Sequence, residues 1–284
     1  MKSYFKPFLI SLATIFCMIA ASATVLSTTP EQIKKDLPKL LGSSGMGNEF
    51  WFTIPPPLYD ASGGSLNNNL KIYVTSESDA SVKLEIKGRA YTETKSVKAY
   101  ELVEFDIDFA TASPWLKTAS EGSPEEKVLK SYGIHITSTA NLLVYAMVYL
   151  STTTESFLVL PVSALGTNYI VSSYNANKLY STYVLPSLTT CVAAYDNTTV
   201  RFTVGGTGGT ETTGGAKVGS TVQKNLSKGD VLVFAADVYN TDLTGSVWSA
   251  TKPIAVVSGH FCANVPITNT GCSYIAEMDL PTYT

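Results

Sequence analysis

The chain has 284 residues, 45% of them hydrophobic and 15% charged, with a net charge of −3. That length and composition give room for a substantial core in about two domains and exclude a disordered chain. No basic run is longer than Lys34-Lys35, which argues against a nucleic-acid partner.

The start, "MKSYFKPFLISLATIFCMIAASA", places Lys2 and Lys6 ahead of an apolar stretch and closes on Ala21-Ser22-Ala23. It reads as a signal peptide, residues 1–23. Its apolar part is short for a membrane span, and no later run reaches the roughly 18 to 20 apolar residues that spanning requires. Removing its two lysines leaves 18 basic against 23 acidic residues, a net charge of −5. The expected mature chain is secreted, with no membrane span, and its three cysteines, Cys191, Cys262 and Cys272, meet an oxidising compartment. Asn197-Thr198-Thr199 and Asn225-Leu226-Ser227 make Asn197 and Asn225 glycosylation candidates if the source is a eukaryote.

Residues 24–46 carry the one helical signal, with Thr29 as cap, Pro30 at the first helical position and Pro38 as a stop. From Phe50 onward the chain reads as strands: "EFWFTI", "LKIYVTS", "SVKLEI", "ELVEFDI", "GIHITS" and "LLVYAMVYL", separated by Gly, Asn, Ser and Pro clusters. Val82, Leu84 and Ile86 alternate with Lys83, Glu85 and Lys87, the pattern of a sheet with one wet side.

The same order then recurs. "VTSESDASVKLEI" lies over "VAAYDNTTVRFTV" at an offset of 118, "LVEF" over "VLVF" at 129, and "GIHITSTANLLVYAM" over "GSVWSATKPIAVVSG" at 112. The offset changes fall in loops, among them the glycine-rich "GGTGGTETTGGA", which lacks phosphate-loop spacing and reads as a hairpin tip. Each unit of about 110 residues has the rhythm of a β-sandwich. The expectation is therefore all-β: two tandem sandwich-like modules of about seven strands, 47–152 and 153–275, with 276–284 beginning a further module or linker. On that reading the chain stops short of a complete protein, and residues after about Ala276 pack poorly.

Little here assembles catalysis. His135 alternates between Ile134 and Ile136 and its counterpart is Val247, so it reads as structural. His260 lies in "SGHFC" with no histidine at metal-ligand spacing. Cys262 and Cys272, separated by the nine residues "ANVPITNTG", could join a metal site or close a loop on themselves. Asp106 and Asp108 share one strand face and cannot flank a substrate as a glycosidase pair does. Asp196 or Asp237 could serve a calcium site, but no metal or cofactor is expected, and no Gly-x-Ser-x-Gly elbow occurs. Cys191 is left unpaired, as a buried thiol or with a partner beyond residue 284.

"GNEFWFT" (47–53), "DNTTV" (196–200), "LSKGDVLVF" (226–234), "DLTGSVWSATKPIAVVSGHFCANVP" (242–266) and the following Cys272 resemble the IgGFc-binding protein N-terminal domain family. Members are secreted: N-terminal portions of large mucus-associated proteins, ahead of von Willebrand factor D-type domains, and bacterial surface proteins. The resemblance implies an adhesive or binding module and no enzyme, and it makes "SGHFC…C" a strand end followed by a loop closed by a Cys262–Cys272 disulfide. After the second cysteine the family tends to an acidic-histidine-leucine stretch, where this chain has "CSYIAEMDLP". No residue set for antibody contact carries over, so binding residues stay unassigned. The expected partner is an extracellular protein or glycan, met through sandwich loops such as "SSYNANKLYSTY" (172–183). The alternatives are a structural spacer in a larger extracellular protein and, less favoured, a carbohydrate-active or metal-dependent hydrolase that uses His260.

Overall fold

The computed structural model describes residues 45–57, 69–113, 115, 123–150, 153–179 and 183–282. The signal peptide and the helical lead up to residue 44 lie outside the described residues. Among the described residues the chain is almost wholly β. The first sheet holds seven strands: β1 (Gly47–Phe52), β2 (Asn69–Ser76), β3 (Ala80–Ile86), β4 (Tyr91–Val97), β5 (Leu102–Asp108), β7 (Ile134–Tyr149) and β8 (Thr154–Val159). The second holds eight: β6 (Val128–Leu129), β9 (Gly166–Ile170), β12 (Ser187–Ala193), β13 (Thr198–Thr203), β14 (Thr221–Leu226), β15 (Val231–Ala236), β16 (Val247–Ala263) and β17 (Ser273–Met278). A small hairpin, β10 (Asn177–Leu179) with β11 (Tyr183–Leu185), stands apart.

The two sheets repeat one topology. The first runs β4-β3-β7-β2-β5 with β1 and β8 on β7; the second runs β14-β13-β16-β12-β15 with β9 and β17 on β16, and adds β6 outside β15. Registers repeat as well. Leu84 and Phe50 both pair with Ile136, and Phe202 and Tyr169 both pair with Trp248. Even a close approach is duplicated. A Cβ on Gly47 would fall 2.4 Å from Pro161, and one on Gly166 would fall 2.4 Å from Pro281.

β7 and β16 are long because each serves two layers. The first part of β16 pairs with β13 and β9, and the rest with β12 and β17; the register on β9 shifts between Ser249 and Ile254. The layers close over an aromatic centre, with Phe202 stacked on Phe234 at 4.2 Å and Trp248 against both. Leu84, Ile136 and Phe105 hold the matching buried positions in the first sheet.

β12 and β15 are buried on both faces, so neither carries a charged residue or alternates wet with dry, and β15 is apolar throughout. One face meets the Trp248 core. The other, with Leu188, Val192, Val231, Val233 and Val257, joins Trp51, Phe52 and Phe157 of the first sheet in one continuous core. Two features depart from the sequence reading. Cys191 pairs with Val256 and Leu232 as Val74 pairs with Val144 and Val103, so the offset along β12 is 117 and not 118. A run buried on both faces gives no wet–dry alternation to fix register, and a slip of one reverses the faces. The expectation of poor packing after about Ala276 is also overturned. Met278 and Asp279 are buried, Pro281 seats on Gly166, and the Thr282 amide donates to the Asn168 carbonyl at 2.8 Å.

Candidate functional site

The two histidines occupy different settings. His135 lies at the seam between the sheets, stacked on Trp51 with ring centroids 3.9 Å apart. Its Nδ1 is 3.0 Å from Glu85 Oε1 and its Nε2 is 3.0 Å from Glu49 Oε1. Only a doubly protonated ring donates to both carboxylates. Lys228, from the β14–β15 turn of the second sheet, donates to Glu49 at 2.9 Å and lies over the Trp51 ring. The Lys83 ammonium beside Glu85 holds its carboxyl down at about 2, against burial and with help from His135. Burial works to raise Glu49, but hydrogen bonds from Lys228 and His135 outweigh it and the group is lowered. The cluster fastens one sheet to the other and lines a recess with Ser131, Gly133 and Gly229.

His260 is fully buried near the end of β16. Its Nδ1 accepts the Cys262 amide at 3.0 Å. Burial holds the ring down at about 4, against hydrogen bonds with the backbone at Asn175, Cys262 and Leu185, so the imidazole is neutral at neutral pH. Two residues earlier, Ser258 bonds the Asp279 carboxylate and Thr189 Oγ1, which accepts from Trp248 Nε1 at 3.0 Å. Burial pushes Asp279 up to about 7, while the bonds from Ser258 and the Ser172 backbone oppose it. A serine, a histidine and an aspartate thus share this end of the second sheet, but the serine bonds the acid directly and the histidine bonds backbone. Ser258 and His260 are sealed from solvent.

What does reach solvent is a cluster of three loops at one end of the second sheet: residues 171–176 leading into β10, 237–246 between β15 and β16, and 264–272 between β16 and β17. The Ala176 amide donates to Thr241 at 2.7 Å, and the Asn240 amide returns to Ala176 at 2.9 Å. Cys262 and Cys272 are joined by a disulfide bond across the third loop. Within it, Asn264 Nδ2 donates to the carbonyls of Asn269 and Gly271 at 2.7 and 3.1 Å, and Asn177 bonds the Asn264 side-chain oxygen. Braced in this way, the loops present Val238, Tyr239 and Val265, the last 58% exposed, with Lys178 over the Tyr239 ring at 5.7 Å. In the first sheet the corresponding β7–β8 connection is only four residues, 150–153, so the disulfide loop is an elaboration of the second repeat alone.

The residues singled out by sequence do not converge. Cys191 is a free buried thiol whose pKa burial raises, far from thiolate chemistry. Asn197 and Asn225 are exposed on neighbouring segments, and Thr199 Oγ1 donates to Asn225 Oδ1 at 2.9 Å. The glycine-rich segment doubles back instead of projecting: Thr212 bridges Ala236, and Thr213 donates to Pro124 at 2.9 Å. Among the described residues no three His, Cys, Asp or Glu groups are placed to hold a metal ion. Sequence reasoning missed the Glu49–His135–Glu85 and Ser258–Asp279 groupings, whose members lie 86, 50 and 21 positions apart and form no motif. The asparagines of the third loop were a legible signal, since loop asparagines commonly bond their own backbone.

No curated protein and no solved structure matches the chain. A family model does: the one described as IgGFc binding protein matches residues 155–284, from β8 through the loop cluster and the disulfide to the end of the chain. Over that stretch, a little under half of the chain, the protein is similar to the IgGFc-binding protein family.

Proposed function

We propose that the chain is a secreted adhesion module that recognises an extracellular protein or glycan through the loop cluster at 171–179, 237–246 and 264–272. The observation that carries this reading is the pairing of exposed Tyr239, Val238 and Val265 with internal bracing by the disulfide and Asn264. Apolar and aromatic groups held on rigid loops lose little freedom when a partner is bound. Support for export comes from the pattern of residues 1–23, and among the described residues no helix is long and apolar enough to cross a membrane. The family match supports a binding role and a protein partner, without naming it.

The test is retention on a glycan array and on immobilised extracellular matrix and mucus proteins, comparing the unaltered chain with Tyr239→Ala/Val265→Ala. Both side chains are exposed, so the variant should fold. Specific retention lost in the variant supports the loop surface. Retention that the variant preserves places recognition elsewhere, and none at all favours a structural spacer.

A further inference from the structure

The internal repeat assigns every sheet surface a counterpart, and two counterparts differ in being bare. In the second sheet the outward row Val233–Thr190–Val257–Met278 runs across β15, β12, β16 and β17. It is buried against the first sheet. Trp51 lies against Gly229, Gly133 against Val192, and the Leu160 amide reaches Met278 Sδ at 3.1 Å. The matching row of the first sheet is Glu104–Tyr73–Tyr145–Leu158, across β5, β2, β7 and β8, with Leu102 and Tyr149 on the same face. Its middle is open, with Leu102 66% and Tyr145 44% exposed, while Tyr73, Glu104 and Leu158 are half-buried and Gly45 lies beside Leu158. Tyr100, also exposed, holds φ +65°, at the turn position where the second repeat has Gly229 at φ +82° beneath Trp51.

The other bare surface is the counterpart of the seat itself. Val247 pairs with Ile170 on β16 and β9 as His135 pairs with Trp51 on β7 and β1. Trp51 is buried by the second sheet, whereas Ile170 is 56% exposed and Val247 is exposed beside it. Exposed Arg201 lies on β13 against the same stretch of β16. The two faces are the counterparts of the two surfaces that pack together within the chain. One carries Tyr145 and Tyr149 along β7, with Glu104 and Asp106 on β5 paired to Lys71 of β2; the other is the apolar pair Ile170 and Val247 beside Arg201.

We propose that this chain associates head to tail with a second copy, the Tyr73–Tyr145 face of one molecule seating on the Ile170–Val247 face of the next. The contact repeats between molecules the packing that joins the two sheets within one. Because the two faces differ, the interface is heterologous and adds molecules without closing by two-fold symmetry. An exported adhesive module built this way gains valency from its own scaffold.

Sedimentation velocity on the purified chain from about 1 to several hundred micromolar tests this. The expected result is a mass that grows with concentration past the dimer. Tyr145→Glu and Ile170→Glu should each weaken association at least tenfold while leaving the far-ultraviolet dichroism unchanged, since both positions are exposed. Mixing the two variants should restore a dimer and nothing larger, because each keeps the face that the other lacks. A chain that stays monomeric throughout, an effect of Tyr145→Glu without one of Ile170→Glu, or no rescue on mixing would each overturn the proposal.

Discussion

Asp279 and His260 sit in the same dry end of the second repeat, and burial moves them in opposite senses, the acid up to about 7 and the base down to about 4. For Asp279, the folded chain retains a proton that the unfolded chain has lost between roughly pH 4 and 7. Its contribution is therefore fully present below about pH 4 and disappears as pH rises through 7. For His260 the unfolded chain is the one that binds the proton, between about pH 4 and 6.5, so stability falls as the solution is acidified through that window. The two slopes oppose each other across acid pH. Asp279→Asn removes the first and keeps a hydrogen-bonding group near Ser258. Denaturant titrations should show the variant level with the unaltered chain near pH 4 and more stable at pH 8, by on the order of 4 kcal/mol at most. Between pH 4 and 6.5 its stability should climb more steeply than that of the unaltered chain, because the opposing Asp279 slope is gone. A variant no more stable at pH 8 would show that the buried carboxyl costs nothing.

Elements were legible to the extent that their burial left a pattern. β3 alternates strictly because one face is wet, and its register against the later copy is read correctly as 118. β12 is buried throughout, so its sequence supports 117 and 118 equally well, and only its pairing with β15 and β16 decides. The seat between Gly47 and Pro161 was invisible for another reason, because a glycine required by a proline 114 residues later leaves no local mark. Its duplication yields a test. Gly47→Ala and Gly166→Ala each drive a methyl group into a proline ring, so both should destabilise by roughly 1–3 kcal/mol, with lowered denaturation midpoints and similar size. The disulfide loop makes the opposite case. Replacing Cys262 and Cys272 by serine releases a constraint worth on the order of 2–3 kcal/mol on the chain-entropy model. Asn264 still anchors the loop, so Asn264→Ala added to the reduced pair should raise amide exchange over 264–272 well beyond either change alone. Additive, small increases would mean that the two braces act separately.

At the scale of the whole molecule, the repeat was visible in sequence, but the dependence of one sheet on the other was not. Composition cannot show that Leu188, Val192, Val231, Val233 and Val257 face a partner sheet and not solvent. The junction is also polar in places, where Lys228 reaches Glu49 and Lys130 reaches buried Asp230 at 2.7 Å. Strand β6 comes from the first half of the chain and pairs with β15, and the Tyr274 hydroxyl donates to the Pro55 carbonyl at 2.8 Å. The segment matched by the family model, 155–284, begins inside β8, a strand of the first sheet. Cut out at those bounds, it would lose β6 and expose the whole apolar face of β12, β15 and β16. Burial of one such aliphatic side chain contributes about 1.5–3 kcal/mol, so losing five, about 7.5–15 kcal/mol, is as large as the roughly 5–15 kcal/mol by which a domain is stable. The isolated 155–284 fragment should therefore be insoluble or should bind hydrophobic dyes, whereas residues 45–284 should unfold in a single transition, with tryptophan emission and far-ultraviolet dichroism coincident. Two separated transitions in the longer chain, or a folded and monodisperse fragment, would show that each sheet is stable by itself and that the shared core only docks them.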